Sequence, residues 1–356
     1  MSTPENPTTP DTLSHISGVG EAIDGMRVAM QKAQNTQANA KYGGTHFYFG
    51  PQHEAVPNAA KRYDHMVLEP GHYKDVTTLS NAIAYVPLSG LHPGNATHVP
   101  LLKAIGEKGL LKDAAGKVLE DPDGPGTKLI DWRQRNVQKV MANHVKSLLD
   151  SGYKGVMFDA IDTVVDAENN DKKAHKGVVK NAMGFVEKAS AYVRKTDKKA
   201  QIIFNGGVAS YHEGKDVDVL KTIGKVADTL VVESQYSVGG KPRNNQDDRE
   251  WLVSRLSQVV KHSKGDFNVA IVDPGWQFES SEQEQNVAKD AVTFAHTVAQ
   301  EVSQQVNAGK KKNITVNASI VLTDDYENPA SFSQTGQVAE ALGKETPPQR
   351  AEARGI

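Results

Sequence analysis

Between Tyr153 and Thr163 the chain reads YKGVMFDAIDT, an apolar run rich in strand formers that stops at two carboxylates, Asp159 and Asp162. A second run, TLVVE, stops at Glu233 in the same way. Ligands meet an alternating β/α chain at the carboxyl ends of its strands, so a carboxylate there is a candidate for chemistry. An Asp and a Glu at two such ends can cleave a glycosidic bond. One acts as nucleophile or base and the other protonates the leaving oxygen, because different surroundings separate their pKa values. The same residue types also bind Mg²⁺ or serve aldolase and enolase chemistry, and spacing alone leaves these open. Asp162 has a plainer role available too: it either orients Asp159 or caps the helix that follows.

These side chains need a scaffold that brings strand ends together. Upstream, Val137, Val140, Met141, His144, Val145, Leu148 and Leu149 recur at helical spacing, and Asp150-Ser151-Gly152 stops that helix. Strand-like runs cover 45–49, 65–68 and 82–86, and a long Gly-, Pro- and His-rich segment over 87–135 carries a short helix near 99–108. The pattern then alternates: strand 155–158, helix 176–195, strand 201–204, helix 217–227, strand 229–232, helix 249–262, strand 268–272, helix 282–306, strand 314–322, helix 334–342. About eight strands suit a closed (β/α)₈ TIM barrel of the α/β class. The alternative is an open doubly wound sheet, but no Gly-rich phosphate loop follows the first strand. In a closed barrel the strand ends Tyr48, Glu69, Tyr85, Asp159, Asn205, Glu233, Asp273 and Asp324 converge on one acidic mouth.

At 356 residues the chain fits one large barrel domain with tails, drawn as a flexible leader over 1–40, the barrel over 41–342 and a polar tail over 343–356. Within the leader, 21–33 fits a short helix loosely. A formal net charge of −2 without a long basic run argues against nucleic acid as a partner. With no cysteine, disulfides and thiolate-ligated metals are excluded. No apolar run is long enough to span a bilayer. Residues 1–15 show neither the basic nor the apolar region of a secretory signal. That leaves a cytoplasmic protein, export by a non-classical route, or secretion after loss of a signal.

The block GYKGVMFDAIDT, preceded by IDWRQRNVQKVMANHVKSLLDSGY, resembles the signature of glycoside hydrolase family 114, the endo-α-1,4-polygalactosaminidase family. FYFG, YDHMVLEP, NAIAYVPLSG, IIFNGG and TLVVESQY match further blocks in the expected order, over about residues 45–325. The resemblance implies a TIM barrel in which Asp159 and Glu233 are the catalytic pair. It places Tyr48, Glu69, Asn205 and Tyr236 along the cleft, with a galactosamine-containing or related polysaccharide as substrate and no cofactor. Family members commonly carry an acid after the third strand; here YVPLSGLHPG has none.

Other residues join the substrate-binding set on chemical grounds. Trp276, in VDPGWQF, offers an aromatic face for a pyranose, with a lid contact as the alternative. Asp162, Asp273 and Asp324 add carboxylates around the same mouth. His46, His53, His65, His72, His92 and His98 crowd the N-terminal half without a metal-ligand spacing, so no metal site is expected. Arg133 either pairs with a neighbouring acid or buttresses the cleft. Three function classes result: an endo-acting glycosidase working as a monomer on poly- or oligosaccharide, a carbohydrate-binding barrel without turnover, and a metal-dependent lyase or hydrolase on the same fold.

Overall fold

Eight strands lie side by side in one parallel sheet: β1 Thr45–Tyr48, β2 His65–Leu68, β3 Ala82–Pro87, β4 Gly155–Asp159, β5 Gln201–Asn205, β6 Thr229–Glu233, β7 Phe267–Asp273 and β8 Ile314–Ile320. Their spatial order is their chain order, and all seven neighbouring pairs are parallel. The architecture is that of a (β/α)₈ barrel in an α/β domain. The computed structural model describes residues 45–50, 54–122, 124–208, 216–233, 237–238, 241–242, 246–273, 281–306 and 314–320, all within one compact unit, Lys41–Ile356. The readings at 21–33, 334–342, Tyr236, Trp276 and Asp324 lie outside the described residues.

Among the described residues eight α-helices accompany the strands: α1 Val56–Ala60, α2 His98–Ile105, α3 Arg135–Asp150, α4 Ile161–Asn170, α5 Val178–Thr196, α6 Asp216–Val226, α7 Gln246–His262 and α8 Ser281–Val306. Strand alternation sorts the side chains into two apolar layers. Phe47, Val67, Ile83, Met157, Ile203, Val231, Ala270 and Val272 form the inner cluster. Their neighbours in sequence, among them Met66, Leu68, Val156 and Phe158, pack outward with Val137, Met141, Val145 and Phe185 of the helices. Burial on both faces is why β4 reads as continuous GVMF and not as an alternating pattern. Gly155 is required at its start, because a Cβ there would lie 2.1 Å from the Gln201 carbonyl oxygen on β5.

The long segment after β3 has more structure than its composition suggests. Gly90–Leu91 and Glu120–Asp121 both pair antiparallel with Gly124–Leu129, giving a small three-stranded sheet. It is fastened to the barrel where the chemistry is expected. The Leu88 N–H donates to the Asp159 carbonyl at 2.8 Å, and the Trp132 indole N–H donates to the Leu88 carbonyl at 2.7 Å. Trp132 is fully buried against Phe185 of α5, with ring centroids 4.6 Å apart. Arg133 pairs with Asp131 at 2.8 Å and donates to the Ala174 carbonyl, so it braces the segment against the loop before α5. Among the described residues no helix is long and apolar enough to cross a membrane.

Candidate active site

Asp159 is the last residue of β4 and Glu233 the last of β6, and the parallel sheet brings both to its carboxyl end with Asn205, the last residue of β5 between them. Alternation from the inner residues Met157, Ile203 and Val231 puts all three on the inner face. The Asn205 side-chain amide donates to Glu233 Oε1 at 2.7 Å, and it also stabilises the ionised form of Asp159. One amide group therefore serves both carboxylates.

The turn out of β4 fixes Asp159. Ala160 adopts a left-handed conformation, φ 62° and ψ 35°, the one positive φ outside glycine among the described residues. Such a conformation costs an alanine roughly 1–2 kcal/mol. It aims the Ala160 N–H at Asp159 Oδ1, 2.6 Å away, and lets α4 begin at once with Ile161. Asp162 does not cap α4 with its side chain; it accepts the Gly207 N–H at 2.6 Å. Gly206 and Gly207 both have positive φ, 74° and 78°, which only glycine adopts without strain. Asp162 thus clamps the turn that leaves Asn205.

Burial shapes the electrostatics. It pushes the Asp159 carboxyl up to about 7, helped by the Glu233 charge, while hydrogen bonding from Tyr85, the Ala160 N–H and Asn205 pulls the other way. Glu233 is also raised by burial and lowered by Asn205. Both carboxyls are therefore raised in the same direction, and the Glu233 charge adds to the cost of ionising Asp159. Tyr85, inner-facing on β3, is held well above the ordinary phenol value by burial and by the Asp159 and Glu69 charges. Its ring tilts against Phe49, with centroids 5.1 Å apart.

The other sequence candidates fall in different places. Glu69, just past β2, is 6 % exposed and accepts from Asn95 Nδ2 at 3.0 Å and Thr97 Oγ1 at 2.9 Å, so it holds the loop that follows β3. Tyr48 packs in the outer layer between sheet and helices, with Met66 and Leu68, and not in the mouth. The inner positions at that edge belong to Phe47 and Phe49. Asp273 ends β7, where its backbone pairs with Ile320. His53 lies outside the described residues, and the other histidines have structural partners: His46 is buried and stacks on Tyr63 at 4.7 Å, and burial lowers its pKa to about 3. His98 is likewise lowered to about 4, by burial first, and His72 Nδ1 lies 2.6 Å from the Phe49 carbonyl. Among the described residues no group of three or more His, Asp or Glu is placed to hold a metal ion.

Neither a family model nor a curated protein matches the sequence. Among solved structures the chain is similar to the glycoside hydrolase domain of PelA from Pseudomonas aeruginosa, with a TM-score of 0.50 and 17% identity over 80% of this chain and 96% of that one. The fold is shared. Ega3 from Aspergillus fumigatus, solved in complex with galactosamine, aligns with a TM-score of 0.48 and 13% identity over 82% of this chain and 93% of that one.

Proposed function

We propose that the chain is an endo-acting glycoside hydrolase that cleaves a galactosamine-containing or related amino-sugar polysaccharide with Asp159 and Glu233. The observation that carries this reading is the bridge from Asn205 to two raised-pKa carboxylates at the same end of a parallel barrel. A glycosidase needs one carboxyl that keeps a proton and one that gives it up, and a pair of raised carboxyls supplies both. The block resemblance to glycoside hydrolase family 114 supports the same pair. The fold shared with the PelA domain, itself a glycoside hydrolase, supports the reaction class.

In the mechanism, Asp159 attacks the anomeric carbon and Glu233 protonates the leaving oxygen, then activates water to release the sugar. Two carboxyls joined through a single amide suit the closer spacing of retaining enzymes, about 5–5.5 Å. Because burial and the Glu233 charge favour the proton on Asp159, attack requires that proton to move to Glu233 first. A cationic amino sugar promotes this by favouring the ionised form of Asp159. Tyr85 and the Ala160 N–H hold Asp159 in line, and Asp162 acts through the Gly207 turn. Tyr236, Trp276, Asp273 and Asp324 remain candidates for substrate contacts around the mouth.

The test is incubation with defined amino-sugar oligosaccharides and mass analysis of the products. Internal cleavage is expected. Binding without any cleavage would turn the reading to a carbohydrate-binding barrel, and activity lost to chelation and restored by Mg²⁺ would turn it to a metal-dependent enzyme.

A further inference from the structure

The Asn205 amide has two ends, and only one has a partner. Its nitrogen is committed to Glu233 at 2.7 Å, which fixes the orientation: a flipped amide would set oxygen against carboxylate. Its oxygen is buried and receives no hydrogen bond. The residue as a whole is 8 % exposed, more buried than the two carboxylates it lies between. A buried acceptor left without a donor has given up its hydration for nothing, and at the carboxylate end of the barrel a donor that arrives with a ligand restores the lost bond.

We infer that Asn205 Oδ1 accepts a hydrogen bond from the substituent on C2 of the sugar being cleaved, and so makes the enzyme selective for a C2 amine or hydroxyl. The position follows from the chemistry of the proposed glycosidase, on which this inference rests. Asp159 and Glu233 flank the anomeric carbon, and an amide that serves both lies beside that carbon. The anomeric carbon has two ring neighbours: the ring oxygen, which has no hydrogen to give, and C2, whose substituent has. A protonated amine at C2 makes the bond charge-assisted, roughly twice as strong as a neutral one. Contacts at C2 also tighten as the oxocarbenium-like transition state forms, so they act on rate as well as on binding.

Activated aryl glycosides of galactosamine, galactose and 2-deoxygalactose, corrected for their different uncatalysed rates, provide the test. The parent is expected to favour the 2-amino sugar over the 2-deoxy sugar by about tenfold or more in kcat/KM. In Asn205→Ala that ratio should collapse towards one. Asn205→Asp keeps an acceptor and loses the donor to Glu233, so its rate should fall on every substrate while the preference persists. If Asn205 only positioned Glu233, both variants would lose rate equally on all three sugars and the ratio would survive in Asn205→Ala, which overturns the inference. Calorimetric binding of the three free monosaccharides reads the same preference without turnover. Binding selective for the C2 amine, lost in Asn205→Ala but without cleavage by the parent, would uphold this inference and remove the glycosidase reading. Equal binding of all three sugars by the parent would overturn the inference whether or not cleavage occurs.

Discussion

Asp159 is buried at a cost to stability. Its pKa in the folded protein, about 7, is above the ordinary carboxyl value of 3.8, so between roughly pH 4 and 7 the native state holds a proton that the unfolded chain has shed. Stability therefore falls as pH rises through that window and levels off above it; Glu233, raised in the same direction, adds to the trend. Asp159→Asn removes the buried charge and keeps an oxygen for the Ala160 N–H. It should be more stable than the parent at pH 8 by on the order of 1–3 kcal/mol, with the difference closing near pH 4. Denaturant titrations at the two pH values check this. The two carboxylates are separated by a second experiment. With an activated leaving group Glu233→Gln should still form the glycosyl-enzyme and gain rate from added azide, whereas Asp159→Asn should do neither. Azide rescue of Asp159→Asn would exchange the two roles.

At the scale of elements, the strand-to-helix turns after β4 and β5 work as a unit, since Asp162 of α4 holds the Gly207 N–H of the next turn. Asp162→Ala should lower kcat about tenfold with little change in KM, and Asp162→Asn, which keeps an acceptor, should recover most of it. A loss confined to thermal stability would mean that the clamp does not reach Asn205. The strands, the helices α3, α5, α7 and α8, and the ends at Asp159, Asn205 and Glu233 were legible because apolar periodicity and strand length both have physical periods. Tyr48 was misplaced because FYF is aromatic throughout, so no polar alternation marks which residue faces inward. The Glu69 contacts to Asn95 and Thr97 span 26 and 28 residues through a loop with no period, and nothing local announces them. The left-handed Ala160 was hidden for another reason: such turns usually advertise themselves with glycine or asparagine.

For the whole molecule, charge separates by position more than by total. The chain is nearly neutral overall, at −2, yet Glu69, Asp159 and Glu233 lie towards one end of the sheet. At the opposite end a cavity of about 730 Å³ is lined by charges that meet one another: Arg194 pairs with Asp228, and Lys225 lies 3.8 Å from Glu187. On the proposed function, a cationic oligosaccharide is attracted towards the carboxylate end. Its kcat/KM should fall roughly threefold or more between 50 and 500 mM salt, while that of a fully N-acetylated oligomer stays nearly flat. Equal salt dependence for both would remove the electrostatic contribution.

Trp132 gives the protein an optical property of its own. Its indole is sealed from water and joined to the Asp159 backbone by two successive hydrogen bonds through Leu88. Trp251, by contrast, is exposed on α7 beside Arg255. With Trp251 and Trp276 changed to Phe, the remaining indole emits from a buried site two hydrogen bonds from the Asp159 backbone. Its emission should shift as an amino-sugar oligosaccharide is titrated in, without a label or a coloured substrate, and an unchanged spectrum at saturation would mean that the Leu88 link does not carry occupancy of the mouth to Trp132.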